Sequence, residues 1–492
     1  MMYPRLKLAR NLLTDDGIII VNMDENEIIN LQKLCDEIFG EKNNLGTVIW
    51  DKRNPKGDSK GIAYQHEYIV LYAKNKDFFL SNCQMLRPKK NAELILKKAK
   101  QIFMRIDSTY SIEQANKDLN QWVNSQVNFS GGEKAYSKID ENGEVYRPVS
   151  MAWPNKNKAP DEYFIPLIHP ITKKECPIPE RGWRNPKVTM DNLLRNGLIL
   201  FGKDETTQPT RKYLLRENMY ENIPSLLYFG GSDTDLLKKL SIPFDTPKVV
   251  SICMEHILSF TNKNSIILDF FSGSATTAHA VMQLNAEDGG NRRYIMVQLP
   301  EPCDEKSEAY KAGYKNICEI GKERIRRAGE MIKDELQKEN AQLKLGEESK
   351  KLPDTGFKVF KLDSSNIKEW DSEAEDLKQT LYASIENIKS DRTSLDILYE
   401  VLLKYGLDLN VPIVEHDHFY SIGGGTILIN LDKEINMDVI NSICEEYQNL
   451  LEIDEDFKTM VVLRDSAFEN DEDKTNMMTR LEQIGIKEVR SI

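Results

Sequence analysis

Residues Ser265 to Ala280, SIILDFFSGSATTAHA, constrain the fold more than any other stretch of the chain. Ile266, Ile267 and Leu268 form an apolar run bounded by polar residues, the pattern of a strand buried on both faces. Asp269 closes the run, Phe270 and Phe271 follow, and Ser272-Gly273-Ser274-Ala275 supplies a turn of small residues. Thr276 and Thr277 are then placed to cap a helix through Ala278, Ala280, Val281 and Met282. Strand, tight turn and helix N-terminus make the first βα unit of a doubly wound nucleotide-binding sheet. Small side chains let a ligand approach the backbone closely. An acid at the strand end suits hydroxyl, ammonium or sulfonium groups better than pyrophosphate. The pattern G-x-G-x-x-G is absent, which disfavours a nicotinamide enzyme. On these residues alone, an ordinary βα turn without a ligand stays open.

The N-terminal residues continue the α/β pattern. A helix is predicted over Tyr3 to Leu13, a doubly buried strand over Ile18 to Val21, and a helix from about Asn26 to Phe39. Thr47 to Trp50 and Tyr68 to Tyr72 read as two strands joined by a basic loop, Asp51 to Gly61, able to track a phosphate backbone. An irregular insert, about residues 77–241, then interrupts the pattern and carries two aromatic-basic phrases, Arg181-Gly182-Trp183-Arg184 and Thr210-Arg211-Lys212-Tyr213. Such inserts commonly present recognition loops on a rigid scaffold. The α/β pattern resumes with a helix over Val249 to Phe260. A second strand runs from Tyr294 to Pro300, and Gln298 stands where an acid facing ribose hydroxyls is expected. From Pro353 the tail reads as a compact α/β domain without a catalytic constellation. In it, Gly423-Gly424-Gly425 is a hairpin turn, and His416 and His418 lack a third metal ligand.

The net charge of −12 argues against a nucleic-acid partner, but its distribution reverses that reading. Pro353 to Ile492 holds 14 Lys and Arg against 30 Asp and Glu, so the rest of the chain is net +4. Lys42 to Arg105 alone is +9. A basic working half and an acidic tail follow. The seven cysteines are scattered and never form C-x-x-C, which fits thiols in a reducing cytoplasm better than zinc or disulfides. No apolar run reaches the length of a membrane span.

Phe271, Gly273 and Ala275 stand at the fixed positions of F-x-G-x-G, the S-adenosylmethionine-binding motif of amino-methylating DNA methyltransferases. Ala275 departs from the usual glycine and is tolerable there if its φ is negative. With MMYPRLKLARNLLTDDGIIIVNMDENE, HEYIVLYAKN, HPITKKECPIPERGW, FDTPK, NICEIGKERIRRAG, GFKVFKLDSSN and DSAFENDEDKTN, the chain resembles the modification subunits of type III restriction–modification systems. These are beta-class adenine-N6 DNA methyltransferases.

The resemblance implies a doubly wound S-adenosylmethionine-dependent methyltransferase sheet, α/β in class, with an inserted target-recognition region and a C-terminal α/β domain. The expected parts are residues 1–76 and 242–335 for the methyltransferase, 77–241 for recognition and 353–492 for a dimer or partner contact. It also implies methyl transfer to a flipped-out adenine in double-stranded DNA, a restriction (helicase/nuclease) subunit as partner, a homodimer and a cytoplasmic location. Expected cofactor contacts are Asp269, Phe271, Gly273, Ser274, Thr276, Lys248 and Gln298. Expected DNA contacts are Lys52, Arg53, Lys56, Lys60, Arg181, Arg184, Arg211 and Lys212. The family's catalytic tetrapeptide D/N-P-P-Y/F does not occur in the 492 residues, so no catalytic residue is assigned. In the family it precedes the YPRLKLAR helix, with which this sequence begins. The sheet is therefore expected to be incomplete at its N-terminal side, exposing pairing groups and apolar surface beside the cofactor strand, and the chain alone to be inactive or badly impaired. A DNA-binding specificity module without chemistry, or a methyltransferase acting on RNA or protein, are the alternatives.

Overall fold

The computed structural model describes residues 2–52, 61–83, 85–127, 129–228, 233–244, 247–343, 349–368 and 388–492. The chain divides into two compact units, Met1–Thr355 and Gly356–Ile492.

In the first unit, α1 (Met2–Leu12), β1 (Ile18–Met23), α2 (Ile28–Phe39), β2 (Asn44–Asp51) and β3 (His66–Ala73) follow the periodicity of the sequence. Their sheet has the order β1-β3-β2-β10, where β10 is Leu226–Tyr228. β3 runs antiparallel to both β1 and β2, and β10 runs parallel to β2. β10 thus belongs to this sheet although it falls within the span expected for the insert. One face, with Val48, Trp50, Ile69 and Leu71, packs on α5 (Val250–Phe260) through Val249, Ile252 and Phe260. The other face, with Ile19, Val70 and Tyr72, packs on Leu6 and Ala9 of α1 and Ile28, Leu31 and Cys35 of α2. Helices on both faces of a mixed sheet make this an α/β unit.

β11 (Ile266–Asp269) and β12 (Arg293–Met296) form a parallel pair. Between them lies α6 (Thr276–Asp288), and α7 (Ile317–Ala341) follows. The register Ile267↔Tyr294 puts these side chains on one face, against α5 and α6. The opposite face carries Ile266 and Ile295, 54% and 51% exposed. The strand predicted to be buried on both faces is therefore covered on one. Among the described residues, β12 is its only pairing partner. The doubly buried reading of β1 also fails in part, since Ile19 is buried while Ile18, Ile20 and Val21 are half-buried. β1 likewise pairs on one side only among the described residues.

The insert leaves through β4 (Leu86–Pro88) and returns through β9 (Tyr220–Asn222), which pair antiparallel. Between them, α3 (Ala92–Phe103) and α4 (Ile112–Ser125) pack their apolar stripes with Tyr136, Ile139 and Val145. The insert sheet has the order β5-β6-β8-β7, formed by Lys138–Ile139, Val145–Ser150, Thr210–Leu214 and Ile199–Leu200. Its neighbouring strands are antiparallel.

The second unit has a five-stranded sheet in sequence order, β13 (Ile413–Glu415), β14 (Tyr420–Ile422), β15 (Ile427–Asn430), β16 (Met460–Leu463) and β17 (Glu488–Ser491). The glycine triplet forms the turn of the antiparallel β14–β15 hairpin. Helices α9 (Met437–Ile453) and α10 (Asp471–Gln483) share one core cluster with Leu428, Val461 and Leu463. The helix α8 (Ser394–Lys404) shares the other with Ile427, Ile429 and Val462.

Candidate functional site

In an open α/β sheet, ligands bind beyond the carboxyl ends of the strands. Asp269 stands at the end of β11, and the turn after it reaches the neighbouring sheet, because Phe270 packs into the cluster with Val21 and Met23 of β1. The Asp269 carboxylate is shared within the turn. Oδ1 accepts from the Phe271 N–H at 3.1 Å, and Oδ2 accepts from the Thr277 hydroxyl at 2.6 Å. The carboxylate thereby fixes both ends of the loop it precedes.

Gly273 has φ +50°, and its N–H donates to Gln298 Oε1 at 2.8 Å. A Cβ built on Gly273 would meet no atom within 4 Å, so open space lies before the turn. Phe271 is 58% exposed, with its ring tilted against that of Phe270 at 5.2 Å. Asp269, Phe271, Gly273 and Gln298 are therefore linked at one turn, by hydrogen bonds from the Phe271 N–H to Asp269 and from the Gly273 N–H to Gln298.

Ala275 is the N-cap of α6, with φ +60° and ψ +40°. The negative φ that would make alanine easy there is not found. Left-handed backbone costs a residue with a Cβ roughly 1–2 kcal/mol. The helix also has no side-chain cap at its N-terminus. The two threonines predicted to cap it turn elsewhere. Thr277 donates to Asp269, and Thr276 Oγ1 accepts from Arg324 Nη1 at 2.8 Å. Ser274 Oγ accepts from the same nitrogen at 2.9 Å. Ser274 and Thr276 are both buried, with their hydroxyls on the side of α7.

Lys248 and Lys52, expected to meet different ligands, converge on one carboxylate. Glu67 accepts from Lys248 Nζ at 2.7 Å and also from Lys52 Nζ. Both ammonium groups lie over the Trp50 ring, at 5.6 Å and 4.4 Å from its centroid. Burial pushes the Glu67 carboxyl up, but the hydrogen bonds and charges of Lys248 and Lys52 outweigh it and hold the group below its ordinary range. Trp50 and Glu67 lie at paired positions of β2 and β3, which explains how two lysines distant in sequence share them.

Of the remaining basic residues, Arg53, Lys56 and Lys60 lie outside the described residues. Arg181 and Arg184 are exposed beside the buried Trp183, and Arg181 donates to the Asn155 carbonyl at 3.0 Å. Arg211 and Lys212 are neighbours on β8 and point to opposite faces. Arg211 lies over Tyr213 at 5.0 Å, while Lys212 pairs with Asp140 at 2.7 Å and lies over Tyr146.

Sequence reasoning passed over Glu67, Trp50, Thr277 and Arg324. Two signals were available. Glu67 is an acid opening an otherwise apolar strand, and Arg324 falls on the stripe Ile320, Gly321, Ile325, Ala328 that α7 buries. Among the described residues, no helix is long and apolar enough to cross a membrane, and no group of His, Cys, Asp and Glu could hold a metal ion.

Comparison with known proteins places this geometry in a family. A family model for N6/N4 methyltransferases, described as DNA methylase, matches residues 1–328. The Mod subunit of the type III restriction–modification enzyme EcoP15I of Escherichia coli is 34% identical over 367 residues, 73% of this chain and 52% of that one. The StyLTI Mod subunit of Salmonella typhimurium is 32% identical over 342 residues, 68% of this chain and 45% of that one. The type II methyltransferase M.KpnI of Klebsiella pneumoniae is 27% identical over 329 residues, 65% and 71% of the two chains. The chain thus spans about half the length of the Mod subunits it matches. With two thirds of its residues inside the family match and the strand–acid–turn–helix unit intact, the chain belongs to the N6/N4 DNA methylase family.

Proposed function

We propose that the turn between β11 and α6 binds S-adenosylmethionine, and that the chain carries the donor-binding and DNA-recognition parts of an adenine-N6 DNA methyltransferase of a type III restriction–modification system. The observation that carries this reading is the open space before Gly273, where an added Cβ would meet none of the described atoms within 4 Å, beside the Asp269 carboxylate, the exposed Phe271 ring and the Gln298 amide. A carboxylate and an amide suit ribose hydroxyls and a cationic donor, and an exposed ring offers a flat face to a purine. The donor supplies a methyl group on sulfonium. The adenine amino nitrogen takes it as the carbon–sulfur bond breaks, and a proton leaves the nitrogen. The contribution of the chain is placement, by holding the donor where an extruded base can meet it in line. Lys248 and Lys52 keep one net positive charge beside Glu67 where β2 ends and β3 begins, favourable for a DNA phosphate. Arg181, Arg184 and Arg211 supply further cationic contacts from the insert. The acidic second unit is the part left for a subunit dimer or the restriction subunit.

The acceptor tetrapeptide is supplied, in this reading, by a polypeptide segment outside the 492 residues that completes the sheet between β11 and β1. The one-sided pairing of both strands among the described residues and the exposure of Ile266 and Ile295 support it. Titration of the chain with S-adenosylmethionine by calorimetry tests the donor reading, and absence of binding overturns it. Transfer of labelled methyl to duplex DNA tests the rest. The expected rate is at least about a hundredfold higher when the tetrapeptide segment is restored. Full activity of the chain unaided would refute that half. Donor binding also separates this reading from a recognition module without chemistry.

A further inference from the structure

The turn that faces the donor is held from behind by a charge that no sequence motif marks. Arg324 of α7 is 0% exposed. Its Nη1 donates to Ser274 Oγ at 2.9 Å and Thr276 Oγ1 at 2.8 Å, the residues on either side of left-handed Ala275. Its Nη2 lies 4.0 Å from Asp233 Oδ2, and that oxygen accepts from the Val250 N–H at the start of α5 at 2.6 Å. Its Nε and Nη2 have no hydrogen-bond partner among the described residues. One turn earlier, Gly321 brings α7 so close that a Cβ there would lie 3.3 Å from the Gly273 carbonyl oxygen and 3.6 Å from Ala275 Cβ. Burying a guanidinium is costly unless its donors are used. Here the two hydrogen bonds it makes among the described residues both go to a single turn, and Asp233 supplies the nearby countercharge.

We infer that Arg324 is a positioning residue for methyl transfer, which fixes the Gly273–Thr276 backbone in its donor-binding shape by gripping the Ser274 and Thr276 hydroxyls. This rests on the reading of that turn as the donor site. The guanidinium touches no reacting group. It acts through the turn, whose left-handed residues would otherwise relax toward ordinary backbone angles. Ser274 and Thr276 then serve the donor through their backbone positions, their hydroxyls being engaged on the far side. The link through Asp233 to the first N–H of α5 ties the same guanidinium to the helix that packs against both the β1-β3-β2-β10 sheet and the β11–β12 pair.

The test uses the full chain with Arg324→Met, Arg324→Lys and the paired substitution Ser274→Ala with Thr276→Val. Donor affinity is read by calorimetry and the backbone amides of Ser272 to Thr277 by hydrogen exchange. Arg324→Met is expected to weaken donor binding by about tenfold or more, the scale of lost hydrogen bonds to a charged donor. Arg324→Lys is expected to recover part of the loss, since an ammonium can still reach one hydroxyl. The paired hydroxyl substitution is expected to reproduce the loss, and adding Arg324→Met to it to cost little more. Folded variants that bind the donor as tightly as the unaltered chain overturn the proposal. So does full additivity of the arginine and hydroxyl substitutions. If the unaltered chain binds no donor, the donor reading falls. The grip is then judged by exchange alone, where faster exchange of the turn amides in the variants supports it and equal exchange overturns it. If Arg324→Met does not fold, the hydroxyl substitutions carry the same comparison.

Discussion

At the scale of single residues, the donor turn is a balance between backbone strain and the contacts that hold it. Gly273 at φ +50° is suited to its place, whereas Ala275 at φ +60° is not, and its methyl is buried against α7. Gly321→Ala isolates this balance. Alanine favours the helix by about 1 kcal/mol over glycine, but the added Cβ would press on the Gly273 carbonyl at 3.3 Å. The two effects nearly cancel in stability, so the melting temperature is expected to change little while donor affinity falls about fivefold, the turn having shifted by a few tenths of an ångström. Calorimetric affinity unchanged from the unaltered chain would mean that the turn tolerates the shift. Asp269→Ala is a stronger perturbation. It removes the acceptor for both the Phe271 N–H and the Thr277 hydroxyl and the one carboxylate at the strand end. Donor binding is expected to weaken by about tenfold or more, again by calorimetry. The strand end at Asp269 and the turn at Gly273 were legible in the sequence because an acid followed by small residues closes an apolar run and opens a βα turn. Arg324 was passed over because an arginine among lysines and glutamates on a long helix reads as solvated, although the stripe Ile320, Gly321, Ile325 and Ala328 marks the face on which it lies.

At the scale of elements, α5 and α6 show how packing overrides composition. Each carries a histidine in the buried interface, His256 and His279, 8% and 2% exposed. Burial pushes the His256 imidazole down to about 4. Burial, and then the charge of Arg324, pushes His279 down to about 3. In the unfolded chain an imidazole titrates near 6.5. Between the folded and unfolded values the unfolded chain binds more protons, so stability falls as pH falls, beginning near 6.5. At pH 5 each histidine is expected to have removed about 2 kcal/mol. Carboxylates held low in the folded state, such as Glu67, act in the same direction only below about 4.5, so above that pH the histidines are read apart from them. Urea midpoints at pH 7.5 and pH 5 measure the effect, and asparagine at both positions is expected to flatten the slope. A midpoint that does not move would show that protonation is not resisted by the fold. The strands teach the converse lesson. Ile266 to Leu268 has the composition of a strand buried on both faces, but composition cannot say which neighbours are present. β11 has one neighbour and one covered face among the described residues.

At the scale of the whole molecule, the chain divides at Thr355/Gly356, close to where its charge turns acidic. The acidic segment of the sequence begins at Pro353, next to that division, so the change in charge and the change of unit coincide. The interior order of each unit was legible only where periodicity was strong, as in α2, β3 and the β14–β15 hairpin, and poorly in the insert, whose short strands meet across long sequence separations. Each unit has separate buried clusters, those around α5 and α6 in the first and those around α8, α9 and α10 in the second. Separate cores predict separate cooperative transitions. A ligand that binds one folded unit stabilises that unit alone, by about 2.7 kcal/mol at a concentration of about 100 times its Kd. Scanning calorimetry of the intact chain is therefore expected to resolve two transitions, of which S-adenosylmethionine raises one and leaves the other in place. The transition that stays should coincide with that of a fragment starting at Gly356. A single transition moved as a whole by the donor would mean that the acidic unit is energetically part of the donor-binding unit, and its assignment as an independent partner-contact module would then fail.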